Sequence, residues 1–382
     1  MSPALRAQVL GAGPTGALTA LALAQVGWSV QLHDSQSAEA LCQRSRAYAL
    51  THSSRELLER LQLWQPLAPQ LIPFRRLELC DRAIGSQVPF SVADLPAPLR
   101  RGSADAVGWI LQHRPLMELL LAAVGRQPLI QSQLGEAAAA QPVDLVVAAD
   151  GHGSPARRAA GLGQARWPYR QGCLTVQVGL RGSQPDQAWE LFRPQGPFAV
   201  LPLGGNRFQL VWSAPMQQLR RLEQLEPVAF LDALSAALPE QLQAELLLDQ
   251  PRAFPVAIEM AWPLRRGRLV LVGEAAHRCH PVGGQGLNLC WRDVLALQGL
   301  AQQVSAGRLA AGRLPGRYAR RRWLDILLVL LATDALVRLF SNRQVLLLPL
   351  RRLGLLALAR WRPLRRLSLM AMTLGPCRLL RG

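Results

Sequence analysis

At 382 residues the chain is long enough for two domains around a sizeable core, and half of it is apolar, as a globular protein requires. All 43 basic residues are arginine, which excludes Schiff-base chemistry and a P-loop lysine. The formal charge is +18, but from Arg313 onward fifteen arginines face only Asp325 and Asp334, so +13 of it lies in the tail.

Six cysteines (Cys42, Cys80, Cys173, Cys279, Cys290, Cys377) stand far apart with no C-x-x-C pair. That argues against a disulfide framework or a metal site and predicts a reduced, cytoplasmic compartment. The N-terminus runs directly into an apolar strand, so no export signal is expected.

The first strand, residues 7–10, leads into Gly11-Ala12-Gly13-Pro14-Thr15-Gly16 and an alanine- and leucine-rich helix. Gly11 permits a tight turn, Gly13 lets the backbone approach a pyrophosphate, and Gly16 lets helix and strand pack closely. Phosphates then sit at a helix N-terminus. The helix is expected to end near Gly27, a second strand to cover residues 28–32, and Asp34 to accept hydrogen bonds from both hydroxyls of an adenosine ribose. Strand, glycines, helix, strand and acid in this order predict a dinucleotide site.

Arg46 leads an extended piece ahead of a helix starting at Ser53, where Ser53 and Glu56 have capping-box spacing. An arginine at that point suits a pyrophosphate, since its fork bonds two oxygens at once. Residues 72–100 carry short alternating runs that fit strands of a second, antiparallel sheet, and a helix follows through Leu116 and Leu120. Residues 142–149 are an apolar run of strand length that delivers Asp150 and Gly151 at its carboxyl end, where α/β sheets bind ligands.

Residues 169–256 are β-rich, with turns at Gly182 and Gly204-Gly205 and a helical insertion expected over residues 217–248. Such a sheet over a nucleotide domain forms the lid of an apolar pocket. The strand 268–272 then runs into Gly273-Glu274-Ala275-Ala276-His277, followed by His280-Pro281-Val282-Gly283-Gly284-Gln285-Gly286-Leu287-Asn288 and a helix. That glycine loop offers backbone N–H groups and a positive helix end to something anionic.

Three elements in this order (residues 11–16, 150–157 and 273–288) resemble the flavin-dependent aromatic hydroxylases of the para-hydroxybenzoate hydroxylase fold. The likeness is greatest to the ubiquinone-biosynthesis subgroup, through Arg46-Ala47-Tyr48-Ala49-Leu50, Phe192-Arg193-Pro194-Gln195-Gly196-Pro197 and Thr333-Asp334-Ala335-Leu336. It covers nearly the whole chain. The resemblance implies an α/β fold in which a Rossmann-like FAD-binding βαβ domain (residues 1–73, 101–165 and 261–310) is interleaved with a substrate-binding antiparallel sheet domain (74–100 and 166–260). Residues 311–382 form a basic C-terminal helical region.

By the same resemblance Gly11, Gly13, Gly16 and Asp34 hold the ADP half of FAD, and Arg46 contacts its pyrophosphate. Asp150 and Gly151 serve FAD and, transiently, NAD(P)H. Gly286, Leu287 and Asn288 present N–H groups to the pyrimidine end of the flavin, where the helix dipole stabilises its reduced, anionic form. Glu274 stands where the family has aspartate, an extra methylene beside the ribityl or ribose region. His280 and Pro281 are the pocket candidates for catalysis, and no metal is expected.

The implied activity is a monooxygenase that hydroxylates an aromatic ring of a polyprenylated phenol or quinone precursor through a flavin C4a-hydroperoxide, using NAD(P)H and dioxygen. The alternatives are an isoprenoid reductase of the same fold or a non-catalytic member of a membrane-associated biosynthetic complex. Ala261-Trp262-Pro263 lacks the paired tryptophans of the halogenases. Residues 323–340 are apolar but carry Asp325, Asp334 and Arg338, which makes a poor bilayer span. Arginine clusters at residues 320–322, 351–352 and 360–366, alternating with leucine and tryptophan, suit helices lying on the anionic, cytoplasmic face of a membrane. Nucleic acid is not an expected partner, because the arginines lack a stacking-aromatic module.

Overall fold

The computed structural model describes residues 5–43, 45–100, 105–139, 141–182 and 184–379; Arg381 of the basic tail lies outside them. Three sheets form among the described residues. The first is six-stranded, in the order Arg265–Arg266, Leu269–Leu271, Leu145–Ala148, Arg6–Leu10, Ser29–Asp34, Ile130–Leu134. From Leu269–Leu271 onward every pairing is parallel. Parallel strands are covered on both faces, which is why Ala7, Val9, Val30, Leu32 and Val147 on one face and Gln8, His33, Ala148 and Leu271 on the other are all buried. The helix Pro14–Gln25 is buried from residue 16 to residue 24, because it packs on this sheet and also against the helices His113–Arg126 and Gln285–Ser305. Its helical stripe is therefore hidden on nearly every side.

The second sheet has nine strands, and its central path runs Arg252–Trp262, Gly163–Arg181, Arg207–Pro215, Phe198–Pro202, Gln187–Phe192, Arg76–Asp81, Ser86–Ser91. All neighbours on this path are antiparallel except Gln187–Phe192 with Arg76–Asp81. Trp189, Leu191, Phe198, Phe208, Leu210 and Trp212 point from one face into a core closed by the helices Met216–Glu223 and Pro227–Ser235. The opposite face turns toward the nucleotide sheet. A third, small sheet pairs Gly108–Gln112 with Ala47–Leu50 and Ile72–Phe74.

The helix Leu314–Phe340 returns to the first sheet, where the Tyr318 hydroxyl donates to the Leu271 carbonyl at 2.9 Å. Two further helices, Leu348–Arg360 and Arg362–Leu374, lie against the strand Ser86–Ser91 and the turn after it. The architecture is the one expected: a parallel nucleotide sheet, a mainly antiparallel sheet and C-terminal helices.

Three local expectations are corrected. The helix His52–Arg60 starts one residue before Ser53, and no Ser53–Glu56 capping box forms, because Thr51 is the N-cap and its N–H and hydroxyl both bond the side chain of Asn288. The insertion at 217–248 is helical only to Ser235; residues Gln243–Leu247 form a strand paired with Gly163–Arg181. Trp28 is buried ahead of the second strand, its indole N–H directed to the Ala301 carbonyl at 3.4 Å.

Candidate active site

The strands Arg6–Leu10, Leu145–Ala148 and Leu269–Leu271 are neighbours, so the turns leaving their carboxyl ends meet although they are far apart in sequence. A Cβ on Gly11 would lie 2.4 Å from the Ala149 carbonyl oxygen, and one on Gly273 would lie 3.0 Å from the Thr15 side chain. Gly11 and Gly273 also sit at φ +97° and +66°, a region that disfavours side chains. At Gly16 a Cβ would be 1.7 Å from the Gly11 oxygen, so glycine there is required by helix–strand packing. Gly13 differs: a Cβ would meet nothing within 4 Å, and the space it faces is the cavity described below.

Asp34 closes the first turn from the side, its Oδ2 accepting the Ala12 N–H at 2.7 Å and its Oδ1 the Gln36 N–H at 2.9 Å. Each oxygen keeps a lone pair for a further donor. Asp150 uses Oδ2 on the Ala156 N–H at 2.9 Å, while its Oδ1 is buried and has no protein donor. Arg157 is buried between the second and third turns and donates to the Ala275 carbonyl at 2.9 Å. An unfilled acceptor on Asp150 and a glycine opening onto empty space are what a ligand with hydroxyl and phosphate groups needs.

The third turn is held from below by Asp293, whose Oδ2 accepts the Gly273 N–H at 2.9 Å and lies 2.7 Å from His277 Nε2. Its Oδ1 accepts from Arg322 Nε at 2.6 Å, and Arg322 and Arg292 both reach Asp325. All five side chains are buried. Burial alone would raise the Asp293 carboxyl, but the His277 imidazole and the Arg322 guanidinium hold it below the usual carboxylate range.

Gly283 and Gly284 then take φ +67° and +61° and hand the chain to the helix Gln285–Ser305. Asn288 pins that N-terminus: its Oδ1 accepts from Thr51 N (2.9 Å), Thr51 Oγ1 (3.0 Å) and Ser54 Oγ (2.6 Å), and its Nδ2 donates to Ala49 and Gly284 carbonyls. The first-turn N–H groups, which have no intrahelical acceptor, remain available beside Gly286, where a Cβ would again meet nothing.

One cavity of about 1200 Å³ joins these turns. Gly11, Gly13, Asp34, Arg46, Asp150, Gly151, Glu274, Pro281, Gly286 and Leu287 line it. Gly16 and the Asn288 side chain stand behind the lining as supports. His280 is a correction: it does not line the cavity but is wholly buried behind the loop, its Nδ1 accepting the Val282 N–H at 3.2 Å and its ring edge-on to Tyr169. Burial pushes its pKa down to about 4, so the ring is neutral.

From the nucleotide turns the cavity passes over the free face of the second sheet (Leu77, Leu79, Ala188, Phe192, Leu201, Val211) and reaches Leu336, Leu339, Leu358 and Met372 of the tail helices. A second groove of about 560 Å³ opens alongside it, lined by Arg46, His152, Arg157, Arg158, Arg166 and Arg278. Sequence reasoning did not single out Asp293, Arg322 or Glu190, an acid on the cavity wall. The Glu190 signal was a charge amid Ala188-Trp189-Glu190-Leu191-Phe192.

The comparisons agree with this geometry. A family model described as an FAD binding domain matches residues 129–322. Ubiquinone hydroxylase UbiL of Rhodospirillum rubrum is 32% identical, over 98% of this chain and 92% of its own length. The 3-demethoxyubiquinol 3-hydroxylase of Escherichia coli is 30% identical, over 94% of this chain and 96% of its own. The solved structure of p-nitrophenol 4-monooxygenase PnpA from Pseudomonas putida superposes with a TM-score of 0.79 over 97% of this chain and 98% of that one, at 18% identity, a likeness of fold. With its turns converging on one cavity and its relatives matched from end to end, the chain belongs to the FAD-dependent monooxygenases of the para-hydroxybenzoate hydroxylase fold.

Proposed function

We propose that the protein hydroxylates the ring of a polyprenylated phenol or quinone precursor, with NAD(P)H as electron donor and dioxygen as the oxygen source. The observation that carries this reading is the cavity's continuation, beyond the nucleotide turns, along an apolar sheet face to Leu336, Leu339, Leu358 and Met372. A hydrocarbon chain laid there gains about 25 cal/mol for each Å² removed from water, which a small polar aromatic acid would not. The relatives named for ubiquinone chemistry support the same substrate class.

In this reading residues 1–73, 101–165 and 261–310 carry FAD, residues 74–100 and 166–260 carry the substrate, and residues 311–382 close the apolar end. Gly11, Gly13, Gly16 and Asp34 hold the ADP half, and Arg46 neutralises the pyrophosphate. Asp150, with Gly151 shaping its turn, offers its free Oδ1 to a cofactor hydroxyl. Glu274, half-buried on the cavity wall, takes the aspartate's place near the ribityl or ribose hydroxyls. Gly286, Leu287 and Asn288 supply N–H groups and the positive end of a helix to the ring system. Pro281 walls the pocket. When bound, FAD supplies the activation of dioxygen, and the chain orients the substrate and keeps water out. The arginine-lined groove beside the cavity suits the phosphates of the electron donor.

The tail brings substrate and enzyme together. Val345, Leu346, Leu350, Leu353 and Trp361 are exposed beside Arg352, Arg360 and Arg362, the make-up of an interfacial surface. No helix among the described residues is long and apolar enough to cross a membrane. FAD-loaded protein mixed with anionic vesicles carrying a polyprenylphenol should sediment with them and consume NAD(P)H in proportion to the phenol. Protein that stays in solution, or donor consumption indifferent to the phenol, counts against the proposal.

A further inference from the structure

Glu190 has no part in the roles assigned so far. Strand alternation puts it on the same face as Ala188 and Phe192, and its cross-strand neighbours are Leu79 and Ala199, all of which line the cavity. The residue is only 8% exposed. Its Oε2 accepts the Gly283 N–H at 3.2 Å, which sets the carboxyl against the glycine loop that opens the helix Gln285–Ser305. Among the described residues Glu190 makes no other hydrogen bond and no ion pair.

A buried carboxylate without a cation is costly, and the strand's own pattern would be served by an apolar side chain. Burial pushes the Glu190 carboxyl up to about 7, with the Gly283 N–H acting the other way. An acid so placed is poised to change protonation near neutral pH, the condition in which a general base is most effective.

We propose that Glu190 is the base that takes the hydroxyl proton of the phenolic substrate. The inference rests on the hydroxylase reading, because it needs a phenol in the cavity. The phenol O–H bond breaks, the proton passes to Glu190, and the electron pair stays on the phenolate oxygen, from which it enriches the ring carbons ortho and para to it. One oxygen atom of dioxygen, reduced by the two electrons of NAD(P)H, adds to such a carbon while the other leaves as water; the carbon then loses its C–H proton to solvent, and the ring oxygen recovers a proton from Glu190. The carboxylate is thereby restored and the proton count closes.

Other ionisable groups stand around Glu190. Cys173 and Asp81 share its sheet face, and Arg278 lines the same cavity. His280 lies behind the loop, and the Asp334–Arg338 pair is on the helix Leu314–Phe340. Burial pushes the Cys173 thiol up to about 12 and His280 down to about 4, so neither titrates where Glu190 does.

The test uses the FAD-loaded enzyme, a 2-alkylphenol and a ring-fluorinated analogue already ionised at the assay pH. In the wild type, phenol affinity read from the flavin spectrum should tighten about tenfold as pH rises through 7, and kcat/KM should rise with it. Glu190→Gln keeps an acceptor for the Gly283 N–H but no base. It should retain FAD, bind the phenol with no pH dependence, and lose about 100-fold or more in kcat/KM, a loss that shrinks to a few-fold with the ionised analogue. Glu190→Asp, which keeps a carboxylate, should keep the pH dependence at a lower rate. Wild-type binding that ignores pH, or a Gln variant equally impaired on both phenols, overturns the assignment. Failure of the wild type to oxygenate any phenol sinks the hydroxylase reading instead, and the binding profile still decides what Glu190 does.

Discussion

Gly13 and Gly16 look alike in the sequence and are glycine for different reasons. At Gly16 a methyl group would strike the backbone of Gly11, so the protein itself forbids it. At Gly13, with φ −62° and open space beyond, nothing in the protein does. Gly13→Val should therefore fold with a stability within about 1 kcal/mol of the wild-type apoprotein and yet purify colourless. Unfolding midpoints and the flavin-to-protein absorbance ratio check this; a yellow, fully loaded Val variant would show that the pyrophosphate passes elsewhere. The glycine turns were legible in the sequence because a tight turn constrains its own residues. Glu190 showed only as a lone charge in an apolar run, because both faces of its strand are buried and no alternation tells which face meets the cavity. His280 was misplaced for a related reason: position along a loop does not say which way a ring points, and here it turns away from the cavity.

The helices Gln285–Ser305 and Leu314–Phe340 illustrate what sequence withholds at the next scale. Their existence follows from apolar spacing, but the ions between them, Arg292, Asp293, Arg322 and Asp325, are identified only by tertiary pairing. Arg322 was counted among the basic residues of a membrane-facing tail; it is buried on Asp293, and half-buried Arg365 pairs with Asp94. Burial would raise Asp293 and Asp325, and the neighbouring cations hold both below their ordinary values. The stability these acids contribute is complete above the unfolded aspartate pKa of about 3.9 and is lost as pH falls through the depressed native values. The contribution of these two acids should accordingly hold from pH 7 to about 5 and drop below about 4, so the denaturation midpoint should rise slightly between pH 7 and 5, as buried Glu190 takes up a proton, and then fall. Asp293→Asn should cost about 3–5 kcal/mol at pH 7, because Arg322 keeps its burial and loses its charge partner. Wild-type stability in that variant would show that the Gly273 turn does not depend on the network.

For the whole molecule, the two sheets and the tail matter together because none of them alone encloses the cavity. Turns from the parallel sheet make one end, the free face of the second sheet makes the floor, and the tail helices close the apolar end. The fold class was readable from three separated glycine motifs, whereas the cavity's length and its closure by Leu336, Leu358 and Met372 depend on long-range packing that no local pattern encodes. The claim on which the account turns is that oxygen from dioxygen enters a prenylated ring held there. The measurement is mass spectrometry of the product formed by FAD-loaded enzyme, NAD(P)H and a polyprenylphenol under oxygen-18 gas. The account predicts a hydroxylated product carrying one oxygen-18 atom; NAD(P)H oxidation with the phenol recovered unchanged, or a product whose new oxygen derives from water, would contradict it.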